Sequence, residues 1–136
     1  KIKIEPKLPA HVRALSRIEE LRQSGSSHAE DSKAYYTQLT DILREYINER
    51  FGFNATEMTT SEIIGNLTEL KDKESLKELK EILEVADLVK FAKALPEAEE
   101  NEMNFTRAYY FVENTKQQEP SSDPKRDIIK EAKIGE

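Results

Sequence analysis

A chain of 136 residues, 37% hydrophobic and 35% charged, can build one core without staples, since a domain near this size buries roughly 65–70% of the surface its unfolded chain exposes. Its 27 acidic and 21 basic side chains leave a formal charge of −6, which argues against a nucleic-acid partner, because such binders neutralise phosphates with clustered Lys and Arg. The lack of cysteine excludes disulfides, thiol chemistry and thiolate metal sites, and no apolar run approaches the ~20 residues of a membrane span.

With only 4 Gly and 5 Pro, the chain is poor in the turn residues that a many-stranded sheet requires, and helices are expected throughout. It opens without Met on Lys1-Ile2-Lys3-Ile4-Glu5-Pro6. Residues 1–8 are therefore expected to be an extended linker following a membrane segment outside this sequence. A first helix is predicted from about Pro9 to Gln23, with Val12, Leu15, Ile18 and Leu21 on its inner stripe. Ser24-Gly25-Ser26-Ser27 then supplies a turn whose Gly suits a helix C-terminus. The second helix, about Ala29 to Phe51, carries Tyr35/Tyr36, Leu39, Ile42/Leu43, Tyr46/Ile47 and Phe51 every three to four residues. Gly52 stops it.

After an irregular connector over 53–58, Thr59 and Glu62 have the spacing of a capping box, in which hydroxyl and carboxylate each satisfy an orphan backbone N–H. They open a third helix that buries Ile63, Ile64, Leu67 and Leu70. Lys71-Asp72-Lys73 reads as a polar hinge. The fourth segment, about Glu74 to Leu95, buries Leu76, Leu79, Ile82/Leu83, Ala86 and Val89. Its stripe shifts at Leu88, Phe91, Ala92 and Leu95, which predicts a break near Asp87, with Asp87 capping a new helix. Pro96 ends this segment and starts the fifth, about Glu97 to Lys116. Glu97, Glu99 and Glu100 crowd its first turn, where carboxylates complement the helix dipole, and Met103, Thr106/Arg107 and Tyr110/Phe111 are its inward candidates. From Gln117 the periodicity fails, and residues 117–136 read as a flexible charged tail in which Ile128, Ile129, Ala132 and Ile134 are compatible with a short helix. The fold class expected is all-α: a compact array or bundle of five to six helices over residues 9–116.

Nothing in these residues proposes a reaction. His11 and His28 are two histidines where a zinc site wants three or four convergent ligands, so no metal or cofactor is expected. No Ser-His-Asp arrangement, Gly-rich phosphate loop or Walker motif can be nominated. Three Asn-X-Thr sequons, at Asn54, Asn66 and Asn104, are taken as chance. The carboxylate runs fall on polar helix faces and read as solvated charge, although Glu99, Glu100 and Glu102 can also present an acidic patch to a basic partner. The adjacent pairs Tyr35-Tyr36 and Tyr109-Tyr110 are more suggestive. Neighbours on a helix differ by about 100°, so one of each pair is expected to pack while the other reaches the boundary, and Tyr is enriched at interfaces.

Leu8-Pro9-Ala10-His11, the run Tyr35-Tyr36-Thr37-Gln38-Leu39-Thr40-Asp41-Ile42-Leu43-Arg44-Glu45-Tyr46-Ile47, Glu49-Arg50-Phe51-Gly52, Ala55-Thr56-Glu57-Met58-Thr59-Thr60-Ser61-Glu62 and Ala86-Asp87-Leu88-Val89-Lys90-Phe91-Ala92-Lys93 together resemble a known pattern. They are similar to the cytosolic C-terminal domain of BatD-like, membrane-anchored bacterial proteins of the Bat aerotolerance operons, over about Leu8 to Lys116. The resemblance implies a non-enzymatic interaction or scaffolding domain on the cytoplasmic side of the inner membrane, held there through a segment absent from this chain. Its implied partner is a MoxR-type AAA+ ATPase or a von Willebrand A protein. It transfers no catalytic residues. Candidate contacts are Tyr36, Tyr109, Glu99 and Glu100, with Asp87, Lys90 and Phe91 as the most family-like group; Asp87 and Lys90, three apart, have the spacing of a helix-face ion pair. The alternatives are a small-ligand or enzymatic domain with a Tyr/Glu-lined pocket, and a passive structural spacer.

Overall fold

The computed structural model describes residues 8–24 and 32–117, and every predicted helical segment in that range forms. In chain order these are α1 (Ala10–Gln23), α2 (Ser32–Phe51), α3 (Thr60–Asn66), α4 (Lys73–Ala92) and α5 (Ala98–Thr115), with a 3-10 turn at Ala55–Glu57 before α3. Local chemistry sets the ends. Gly52 adopts φ +83 after α2, a left-handed conformation that costs glycine little. The Thr59 hydroxyl and the Glu62 carboxylate complete the capping box of α3. The Asp72 carboxylate caps α4 by accepting from the Glu74 and Ser75 N–H groups, so the predicted polar hinge is a helix cap.

Four of the helices form a ring. α1 and α4 each pack against both α2 and α5, which leaves α2 and α5 facing each other across the diagonal. Ion pairs Arg13–Glu49 and Arg17–Glu45 run α1 antiparallel to α2, and Arg22–Glu102 places the end of α1 beside the start of α5. Arg50 and Phe51 at the end of α2, Asp72 at the start of α4 and Asn114 to Lys116 at the end of α5 line a common cleft. The result is an up-down-up-down bundle in which the connection from α2 to α4 carries the 3-10 turn and α3. α3 lies outside it, packed on α4.

Tyrosines span the diagonal of the bundle. Tyr35 Oη donates to the Asn101 carbonyl at 2.8 Å, Tyr36 Oη donates to Asn101 Oδ1 at 2.8 Å, and Asn104 Nδ2 donates to Tyr36 Oη at 2.7 Å. Arg107 Nη1 closes on Asn104 Oδ1 at 2.7 Å and its Nε pairs with Glu81 at 3.0 Å. This chain of polar contacts ties α2, α5 and α4 together. About three turns further on, the Tyr46 and Thr115 hydroxyls lie 2.8 Å apart. A phenol is long enough to cross the core and polar enough to meet an acceptor on the far helix, so buried Asn and Tyr satisfy one another. Burial pushes the Tyr36 phenol up to about 12 and raises those of Tyr35 and Tyr46 as well.

Several expectations need correction. Tyr35 and Tyr36 are both fully buried, because the diagonal offers each phenol its own acceptor around Asn101. On α1 the inner stripe is Ala14, Ile18 and Leu21, with Val12 turned outward. On α5 it is Asn101, Asn104, Phe105, Ala108, Phe111 and Val112, whereas Met103, Thr106 and Tyr110 point outward. α4 does not break at Asp87. It continues to Ala92 and stops at Lys93, which adopts the left-handed conformation with φ 60, before Pro96 is reached. The expectations for His28, the turn beyond Ser24, the N-terminal linker and the tail beyond Gln117 fall outside the described residues.

Candidate functional site

The C-terminal half of α4 carries more apolar side chains than one helix face can bury. Leu79, Ile82, Leu83, Ala86 and Val89 fill the side turned to the bundle. Leu88 and Phe91 are left on the outer side, 54% and 81% exposed, and Leu95, in the link beyond the helix, is 73% exposed. The stripe shift seen in the sequence is thus an unbroken helix with a second, solvent-facing apolar edge. Single exposed apolar residues are ordinary on protein surfaces; grouped ones mark contact surfaces.

This ledge borders an open cleft of about 530 Å³ whose walls include Arg44, Met58, Thr60, Asp87, Lys90 and Phe91. Its floor is braced from below. Arg44 Nη1 donates to the carbonyls of Ala55 and Met58, and Asn48 Oδ1 accepts from the Ala55 N–H. Together these pin the connector onto α2. Thr60 Oγ1 donates to Asp87 Oδ2 at 2.7 Å, which joins the start of α3 to α4. Asp87 is therefore engaged with Thr60 rather than with Lys90, and the predicted Asp87–Lys90 pair is not made. Lys90 lines the cleft beside Phe91 and makes no ion pair among the described residues. Met58 and Phe91 are the apolar residues of a cleft otherwise walled by polar and charged side chains, an arrangement suited to a polar-flanked hydrophobic surface. Among the described residues no set of three or more His, Asp or Glu converges to hold a metal.

Comparison with protein-family models, with curated proteins and with solved structures finds no match to this chain. The geometry of the site therefore carries the functional argument.

The structure distributes the sequence-predicted contact residues unevenly. Asp87, Lys90 and Phe91 meet at the cleft. Glu99 and Glu100 are exposed on the first turn of α5, which follows the end of α4 through the short link Lys93 to Glu97, so they lie at the same end of the bundle. Tyr109 is elsewhere. It is partly exposed beside Tyr110, the two rings meeting edge to face at 5.7 Å, in a separate groove of about 220 Å³ between α1 and α5 that Arg22 and Glu19 also line. Tyr36 is a correction: its ring is fully buried and its hydroxyl is held by Asn101 and Asn104, so it offers nothing to a partner.

Sequence reasoning missed Leu88, Leu95 and Met103 as surface residues. For the first two the signal was present, since they break the 3.6-residue stripe and precede a proline. Met103 gave no such signal, because it fits an inward stripe as well as the residues that occupy it.

Proposed function

We propose that this domain is a non-enzymatic docking module that presents the ledge of α4 and its adjoining cleft to a protein partner. The observation that carries the reading is Phe91, 81% exposed between two further exposed leucines. An aromatic side chain anchors an interface by burying a large area at small cost in conformational freedom. On the resemblance of Leu8 to Lys116, the domain belongs to a BatD-like, membrane-anchored bacterial protein, lies on the cytoplasmic side of the inner membrane, and docks a MoxR-type AAA+ ATPase or a von Willebrand A protein. A passive spacer has no use for such a ledge, and no helix among the described residues is long and apolar enough to cross a membrane itself.

The test is titration calorimetry of the chain against a purified MoxR-type ATPase and a purified von Willebrand A protein. Wild type should bind one of them, and Phe91→Asp should weaken that binding roughly tenfold or more, as expected for loss of a central aromatic anchor. Because Phe91 packs little within the chain, the variant should keep its helical signal. Equal affinity of the folded variant and wild type, or no binding by wild type, would remove the proposal.

A further inference from the structure

The chemistry of the partner can be read from what surrounds the ledge, an inference that rests on the docking reading above. The Glu81–Arg107 pair at 3.0 Å fixes the register of α4 against antiparallel α5. One and two turns beyond it on the same helix faces come Val85 and Leu88 on α4 and Met103 and Glu100 on α5. Met103 is itself 52% exposed. Phe91 and Leu88, one turn apart on α4, thus form an exposed apolar strip, with exposed Leu95 following the end of that helix and Met103 on neighbouring α5. A strip of that shape matches the apolar face of a helix, whose anchors recur at i, i+3, i+4 and i+7.

On the α5 flank the rim has a dominant sign. Glu84, Glu97, Glu99 and Glu100 are all exposed around the strip. Lys80, Lys90 and Lys93 are opposing cations on the α4 side. Glu84 has only a 4.0 Å exposed contact with Lys80, and Glu97, Glu99 and Glu100 have no ion pair among the described residues. With Glu84 matched by Lys80 on α4, the acidic border is that of Glu97, Glu99 and Glu100 on the α5 flank, next to the apolar strip.

We infer that the outer face of α4, with the adjoining start of α5, takes an amphipathic helix of a partner protein, with apolar residues at helical spacing and Lys or Arg along the flank that meets α5. The apolar strip supplies the contact area, and the Glu99–Glu100 side sets the orientation and favours basic flanks over acidic ones.

The probe is a fluorescein-labelled peptide of about 18 residues, long enough for five turns, with Leu at i, i+3, i+4 and i+7 and Lys at the other positions. A second peptide replaces Lys by Glu, and a third scrambles the first. Anisotropy titrations on the full chain should show the Lys peptide binding roughly tenfold or more tightly than either of the others. Phe91→Asp, and Glu99→Lys combined with Glu100→Lys, should each lower that affinity by a similar factor, and added salt should weaken it. Tyr109→Ala, in the separate groove, should leave it unchanged. If the double charge reversal has no effect while Phe91→Asp abolishes binding, the basic-helix inference fails and docking on the ledge stands. If Phe91→Asp has no effect, both fail. Preferential binding to anionic vesicles, or self-association of the chain through Phe91 in sedimentation, would overturn the inference by naming another occupant.

Discussion

Replacing Tyr36 by Phe isolates one oxygen at the centre of the bundle. The Tyr36 side chain is 0% exposed, and its hydroxyl donates to Asn101 Oδ1 at 2.8 Å while accepting from Asn104 Nδ2 at 2.7 Å. The substitution keeps the ring, so no large cavity opens and the loss is confined to hydrogen bonding. A buried polar group stripped of its partner costs about 1–3 kcal/mol. Asn104 keeps the Arg107 contact on its oxygen, and Asn101 Oδ1 loses one acceptor interaction, so the two effects together should come to roughly 2 kcal/mol. For a domain near 100 residues that is a fall in melting temperature of about 10 °C. The assay is urea unfolding followed by circular dichroism, with Tyr110→Phe as the exposed control, expected to stay within about 0.5 kcal/mol of wild type. A Tyr36→Phe midpoint indistinguishable from that control would refute the claim that the diagonal tyrosine–asparagine contacts hold the bundle together.

Other perturbations probe separate parts of the fold. The phenols of Tyr35, Tyr36 and Tyr46 are raised by burial above the ordinary 10.0, that of Tyr36 to about 12. The folded state therefore keeps protons that the unfolded chain releases, so their contribution is complete below pH 10 and is lost as pH rises through the folded values. Absorbance at 295 nm from these tyrosines should rise together with loss of helical signal; ionisation of all three with the helices intact would contradict their placement. Glu78 has a buried carboxylate oxygen without a hydrogen bond, and burial, then Glu74 and Asp72, raise its pKa above the ordinary 4.5 despite Arg107. Its neutral form is favoured in the fold, so its contribution is fully present below pH 4.5 and declines as pH rises through the folded value. Glu78→Gln should raise the urea midpoint at pH 7 and change little at pH 4, and a lowered midpoint at pH 7 would count against it. Thr59→Ala removes half of the α3 capping box and should cost about 1 kcal/mol in the same urea assay; no change would mean that α3 is held by its packing on α4 alone.

The parts of this fold legible in the sequence are those governed by local chemistry. The Thr59–Glu62 box, the Gly52 stop and the apolar face of α2 each depend on neighbours within one or two turns, and each appears in the structure as read. Inner faces of α1 and α5 were harder. Asn101 and Asn104 look like surface residues until Tyr36 crosses the bundle to meet them, and their burial rotates the stripe of α5 away from Met103 and Tyr110. The α4 shift was visible, but a stripe that leaves the core can mean a broken helix or an exposed edge. Only the packing of α3 and the Thr60–Asp87 bond decide between them. For the candidate site, Asp87, Lys90 and Phe91 were found by resemblance and do converge, while Tyr36 was misplaced because a phenol's polar tip serves a buried asparagine as well as it serves a partner.

The central claim is that the ledge around Phe91 is where this domain meets another protein, and site-specific photo-crosslinking tests it most directly. A photoreactive phenylalanine analogue placed at position 91, and separately at position 110, in cells that also produce a MoxR-type ATPase and a von Willebrand A protein would report what lies within a few ångströms of each. The account predicts an adduct with a MoxR-type ATPase or a von Willebrand A protein at position 91 and none at position 110. Absence of any adduct at 91, or the same adducts at both positions, would contradict it.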